Sequence, residues 1–260
     1  MNMKVVILAG GYGTRISEES QVRPKPMVEI GGQPILWHVM KIYSHYGYND
    51  FVIACGYKSY IIKDYFNNYL LRNADIMFDV AKREIAVNKN NAEKWNVMLV
   101  ETGEKTLTGG RLKRLKDYVG DETFLMTYGD GVSNVDINKL VEFHKKEGVL
   151  ATVTAVKSPG RFGTFHLPAG QTKIVNFREK PEDDGIRING GFFVLEPEVL
   201  NYIEGDETSW ELEPMQKLAR DGKLAGFRHD GFWHPMDTLR DKMVLEEMWD
   251  KGDAPWKIWK

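Results

Sequence analysis

Residues 4–13, KVVILAGGYG, read as a buried-type strand running straight into a glycine turn. Val5 to Ala9 is a short apolar run bounded by turn residues, as expected of a strand in a parallel sheet. Gly10, Gly11 and Gly13 tolerate the φ values of a tight loop, and N–H groups in such a loop point together at an anion. Thr14 and Arg15 follow at once, and Lys25 sits between Pro24 and Pro26. A plain βα connection explains the glycines but not the two cations. Together they suggest a polyphosphate site at the C-terminal edge of the first strand, where open α/β sheets bind ligands. Two familiar phosphate loops do not fit. GxxxxGK[ST] fails because no Lys-Ser or Lys-Thr follows the turn, and GxGxxG fails because its third glycine position holds Ile16.

Composition narrows the class. A chain of 260 residues, 42% hydrophobic and 28% charged, suits a globular enzyme with a sizeable core. A net charge of −2 gives no global attraction to nucleic acid or an anionic membrane, so anion binding has to be local. The single cysteine, Cys55, excludes an internal disulfide and a cysteine-based metal site, and its run FVIAC marks it as a buried thiol. No signal pattern and no long apolar span appear, so a cytoplasmic location is expected.

Outward from the first strand, apolar runs and helical patterns alternate. Pro34–Tyr46 reads as a helix ended by Gly47, residues 50–55 as a strand, and Lys58–Asn68 as a helix. This alternation implies a parallel sheet with right-handed crossovers. IMFDV, EIAV and NVMLVET then read as short strands, with Lys89-Asn90-Asn91 as a turn. Gly109–Tyr118 reads as a basic amphipathic helix, Thr123–Tyr128 as a strand ending in Gly129-Asp130-Gly131, and Asn138–Glu147 as a helix. Later runs of strands and turns precede helices at 213–220 and 241–251 and a Trp-rich tail, APWKIWK, that docks on a surface. The expectation is one structural unit over 1–260, with a nucleotide-binding part to about 130 and a sugar-phosphate part beyond. The 75–96 segment reads either as a contact between subunits or as a surface flap.

Several residues carry chemistry or an ordinary structural role. Asp130 is a turn former or a carboxylate reaching into a cleft; Asp237 is a helix N-cap or its partner. Two such carboxylates can hold one divalent cation together with phosphates and water. Glu179 and Lys180 in FREKP form a solvated turn or meet hydroxyls and a second anion. Asn189-Gly190-Gly191 is a turn or an open sugar-facing loop. Arg111 and Arg114 share a helix face that is either solvated or a further cation source. Six histidines show no ligand spacing.

LAGGYGTR, PKPM, YGDG, FREKP, NGGFFV and MDT, in that order, resemble the sugar-phosphate nucleotidyltransferases over nearly the whole chain. WNVMLVETG, TLTGGRLKR, PGRFG and GFWHPMDTLRDK are similar to the glucose-1-phosphate cytidylyltransferase branch of that family. The resemblance implies a Rossmann-like, mixed and mostly parallel sheet flanked by helices, the nucleotide-diphospho-sugar transferase fold, with small β-rich additions. It implies transfer of CMP from CTP to glucose 1-phosphate with Mg2+, in nucleotide-sugar biosynthesis of the deoxysugar and O-antigen type. Leu8, Ala9, Gly10, Gly11, Tyr12, Gly13, Thr14 and Arg15 would wrap CTP. Arg15 and Lys25 would be catalytic, and Gly129 would lie against the nucleotide. Thr106 and Arg111 would contact the nucleotide, in this subunit or a neighbour's. Asp130 and Asp237 would hold magnesium, Lys180 the sugar phosphate, and Glu179 and Asn189 the sugar hydroxyls. A homo-oligomer of the hexameric type is implied. The rivals are another base or sugar, such as UTP or dTTP, and a catalytically silent nucleotide-binding protein; an NAD-binding oxidoreductase is the weakest of them.

Overall fold

A computed structural model of the chain describes residues 3–13, 22–157, 164–166, 175–178 and 187–259. Seven strands build the main sheet: β1 (Val5–Leu8), β2 (Asp50–Cys55), β3 (Asn96–Glu101), β4 (Phe124–Tyr128), β5 (Ala151–Lys157), β6 (Arg187–Leu195) and β7 (Leu224–His229). Their order across the sheet is 7-5-6-4-1-2-3. β1 pairs in parallel with β2 and β4, β2 with β3, and β5 with β7. β6 alone runs antiparallel, between β4 and β5. The expected mixed, mostly parallel sheet is therefore present.

β1 is buried on both faces, which is why it reads as an unbroken apolar run. Val5 and Ile7 enter one core cluster, and Val6 and Leu8 the other. Helix α1 (Ile35–His45) covers the first face through Ile35, Leu36, Val39, Met40, Ile42 and Tyr43, all fully buried at helical spacing. Helix α3 (Thr108–Arg114) covers the second, with Leu112 in that cluster. The remaining helices used below are α2 (Ser59–Asn67), before it, and α4 (Ile137–Glu147), α5 (Glu213–Arg220) and α6 (Leu239–Asp250), after it.

Four local outcomes differ from the sequence pattern. The expected Gly109–Tyr118 helix is two pieces, Thr108–Arg114 and Lys116–Val119, broken at Leu115. The turn expected at Lys89-Asn90-Asn91 is still strand through Asn90, while the turn between the first two short strands of that region falls near Arg83, which has φ 58°. Asn189-Gly190-Gly191 lies inside β6 at a register shift rather than in a loop, with Gly191 at φ 71°. Asp237 is not a cap. Thr238 caps α6 in a reciprocal capping box with Asp241.

The tail docks as expected. Trp256 is fully buried, and its indole donates to Nδ1 of His38 at 3.3 Å. With Nδ1 accepting, Nε2–H of His38 donates to the Ile30 carbonyl at 2.9 Å. Burial lowers the His38 pKa to about 4, so the ring is neutral. Gly31, at φ 58°, lies against the Trp249 ring where a Cβ would clash, and its N–H donates to Glu246 Oε1 at 2.9 Å. Among the described residues, no helix is long and apolar enough to cross a membrane.

Candidate active site

A cleft of about 480 Å³ opens at the C-terminal ends of β1 and β4. The chain leaves β1 toward β2 on one side and returns to β4 on the other, so this is the switch point of the sheet. Gly129 N–H donates to the Leu8 carbonyl at 3.1 Å and knits the two strand ends together. A Cβ on Gly129 would lie 3.1 Å from Pro26, so glycine lets the Lys25 segment close over the strand end.

The structure brings twelve of the expected site residues to this one cleft: Leu8, Ala9, Gly10, Gly11, Tyr12, Gly13, Lys25, Thr106, Arg111, Gly129, Asp130 and Asp237. Thr14, Arg15, Glu179 and Lys180 lie outside the described residues. Asn189 stands on β6 and donates from Nδ2 to the Tyr128 hydroxyl at 3.2 Å.

Lys25 opens a short 3-10 turn after Pro24, and its side chain is largely buried. Its ammonium donates to Asp130 Oδ2 at 2.7 Å and to Asp237 Oδ1 at 2.6 Å. Burial opposes its charge, but the two carboxylates outweigh it and raise the Lys25 pKa above its ordinary value. Asp130 follows β4. A short strand pair, 131–133 with 233–235, then carries Asp237 to the same point, and Met236 N–H donates to the Asp130 carbonyl at 2.8 Å.

Arg111 has a different setting from the one its helix spacing suggests. It is 3% exposed. Its guanidinium donates to the Gly10 carbonyl at 2.9 Å, Gly103 at 2.6 Å, Glu104 at 3.1 Å and Cys55 at 3.3 Å, and to Thr102 Oγ1 at 2.8 Å. It stitches the ends of β1, β2 and β3 together from behind the glycine turn. The glycines at 10 and 56 make room for it, since a Cβ on either would overlap the guanidinium. Arg111 is thereby tied to the strand ends of its own chain, at the wall of the cleft. The rest of the basic face is exposed: Arg114 pairs with Asp206, and Lys113 donates to the Ile203 carbonyl at 2.7 Å. Cys55, beneath this corner, has its thiol pushed up to about 12 by burial and is no nucleophile.

One carboxylate went unread in the sequence. Glu211 Oε1 accepts from the Tyr128 hydroxyl at 2.6 Å, and Oε2 accepts from Thr108 Oγ1 at 2.6 Å and Ser209 Oγ at 2.9 Å. Burial and the nearby Glu211 charge hold the Tyr128 phenol well above its usual range, so it stays protonated and donates. Nothing local in SWELE marks this residue; the signal lies in the fold, which brings α3 against the 205–210 loop through Gly109 and Gly110.

Residues 4–236 match the family model for nucleotidyl transferases. The chain belongs to the nucleotidyl transferase family. It is 57% identical over 258 residues to a glucose-1-phosphate cytidylyltransferase of Salmonella typhi, covering 99% of this chain and 100% of the relative. It is 34% identical over 248 residues to a mannose-1-phosphate guanyltransferase of Aspergillus oryzae, covering 92% of this chain and 62% of that one. Among solved structures, HddC from Yersinia pseudotuberculosis superposes with a TM-score of 0.68 at 24% identity, over 95% of this chain and 99% of that one. As a nucleotidyl transferase, the chain acts on a nucleoside triphosphate and a sugar phosphate with a divalent metal. The two carboxylates suit such a metal: both are already trained on one positive charge, and oxygen donors fit a hard divalent cation. No group of three or more His, Cys, Asp or Glu converges among the described residues.

Proposed function

We infer that this chain transfers the CMP moiety of CTP to α-D-glucose 1-phosphate, forming CDP-glucose and pyrophosphate. The observation that carries this reading is end-to-end likeness: 57% identity spanning the full length of a glucose-1-phosphate cytidylyltransferase. Another base or sugar, or a silent binder, is not favoured beside it.

The geometry supports the chemistry. The sugar phosphate is already ionised, so its oxygen attacks the α-phosphorus of CTP in line without a general base. Both reactants are anions; two unit charges ~4 Å apart at an effective dielectric of ~20 repel by roughly 4 kcal/mol. Lys25 offers fixed positive charge at the ends of β1 and β4, and the glycine turn lines the cleft beside it. Arg15 and Lys180 are proposed as further phosphate ligands, and Glu179 and Asn189 as contacts to the sugar hydroxyls. Asp130 and Asp237 would hold Mg2+, which when bound neutralises phosphate charge. Thr106 is proposed to contact the nucleotide from the cleft wall. A division near residue 130 is part of this proposal, with the nucleotide part before it and the sugar-phosphate part, including Asn189, after it.

Assembly and context belong to the same reading. The hairpin of Ala74–Asp79 and Glu84–Asn90 exposes Phe78, Val80 and Ile85, an apolar surface that supports a homo-oligomer, hexameric by resemblance. A cytoplasmic enzyme supplying CDP-glucose for deoxysugars of the O-antigen of lipopolysaccharide is proposed. The test is pyrophosphate release from CTP, UTP, ATP and GTP with glucose 1-phosphate, with and without Mg2+. Release is expected with CTP and Mg2+; equal turnover with UTP breaks the base assignment.

A further inference from the structure

Glu211 places a negative charge beside a cleft built for two polyanions, and that needs a reason. Among the described residues no lysine or arginine pairs with it; its three partners are hydroxyls. Two of them, on Thr108 and Ser209, fix Oε2 to the start of α3 and the 205–210 loop, which are joined by the Gly109 N–H to the Thr208 carbonyl at 3.0 Å. The carboxylate is thereby anchored, and Oε1 is aimed at Tyr128.

The consequence is a defined proton order. An ionised carboxylate only accepts, so the Tyr128 hydrogen is committed to Glu211 and the phenol oxygen becomes an acceptor. It accepts from Asn189 Nδ2. Asn189 Oδ1 in turn accepts from the Gly191 N–H at 2.8 Å, so both ends of the amide are assigned. One amide N–H is left for a ligand, while the Gly191 N–H holds the carbonyl end toward the backbone. Asn189 is exposed and ready to use that N–H.

We propose that Glu211 is a positioning residue that, through Tyr128, fixes the Asn189 amide so that it presents an N–H donor to a hydroxyl oxygen of the sugar phosphate. This rests on the reading of a sugar phosphate as the acceptor substrate. Glu211 itself touches no reacting atom. A glutamine there can accept from the Tyr128 hydroxyl or from Thr108 and Ser209 but not from all three, because its second terminal atom donates. The proton order is then lost while size is kept.

The experiment is steady-state kinetics and thermal melting of wild type, Glu211→Gln, Tyr128→Phe and the double variant, with glucose 1-phosphate and CTP varied separately. Loss of one oriented hydrogen bond should raise KM for glucose 1-phosphate about tenfold in each single variant. KM for CTP should stay within about twofold, and the double variant should be no worse than either single one, as expected of residues acting in series. An unchanged sugar KM, a joint rise in both KM values with a fallen Tm, or additive effects in the double variant overturn the proposal. Wild type run in parallel separates the two levels. No product from wild type breaks the reading of the reaction and takes this role with it; normal wild-type turnover with any of those patterns breaks the role of Glu211 alone.

Discussion

The corner of the cleft built around Arg111 and the corner built around Lys25 each hold one buried positive charge, but their partners are of opposite kinds. Arg111 faces neutral carbonyls and a hydroxyl, all fixed to strand ends. Lys25 faces two carboxylates that arrive from distant parts of the chain. Withdrawing the buried Arg111 side chain would leave those carbonyls, and the strand ends they belong to, without their common donor. Carboxylates can trade one cation for another. The first charge is therefore part of the scaffold, and the second is available to chemistry. Sequence distance and residue type alone would rank them together.

The comparison breaks most visibly on stability. Replacing Arg111 with Met leaves several buried acceptors without donors and should lower unfolding free energy by about 3–5 kcal/mol, on the scale of a broken buried network. Denaturant melts check this; a loss under about 1 kcal/mol would remove Arg111 from the scaffold. Lys25→Ala should do the reverse: a fall of roughly 100-fold or more in kcat, about 2.7 kcal/mol of barrier, while the fold persists. Single-turnover rates and a melting curve on the same preparation decide it. A near-normal rate would take Lys25 out of the reaction.

A third buried group, His38, sharpens the contrast because it carries no charge. Its folded pKa of about 4 lies below the ordinary value of 6.5. Between those values the unfolded chain binds a proton that the folded chain refuses. Stability is therefore lost as pH falls from 6.5 toward 4, by about 1.4 kcal/mol per pH unit from this group. Urea melts at pH 7, 6 and 5 should show that slope in wild type and its reduction in His38→Gln. Equal slopes in both would mean the ring is charged or solvated after all.

Much of this was legible in the sequence where one physical cause acts locally. The double-faced burial of β1 leaves an unbroken apolar run, and the turn after it needs glycine, so strand, turn and cleft edge are all readable from residues 4–13. Asp130 is likewise readable as the carboxylate after a strand. What was not legible depends on contacts between remote segments. Arg111 looks like one cation on a basic face, because nothing nearby reveals the carbonyls of Gly10 and Cys55. The usable signal was Gly109-Gly110 just before it, small residues that permit the close approach to Asp206 and Thr208. Asp237 invited a cap assignment because its neighbour Thr238 is the cap, and only the capping box with Asp241 tells the two apart. Glu211 had no signal at all, since its three partners come from β4, α3 and the loop before α5.

The seat of Gly31 against Trp249 has a mechanical consequence. Gly31 follows the segment that bears Lys25, and Trp249 and Glu246 sit on α6, whose first residues adjoin Asp237. Lys25 and Asp237 are thus joined behind the cleft through α6 as well as by their ion pair, and Met236 N–H ties Asp237 to Asp130 in turn. A side chain at position 31 would push the Trp249 ring off its seat, and so disturb the carboxylate pair from the far side of α6.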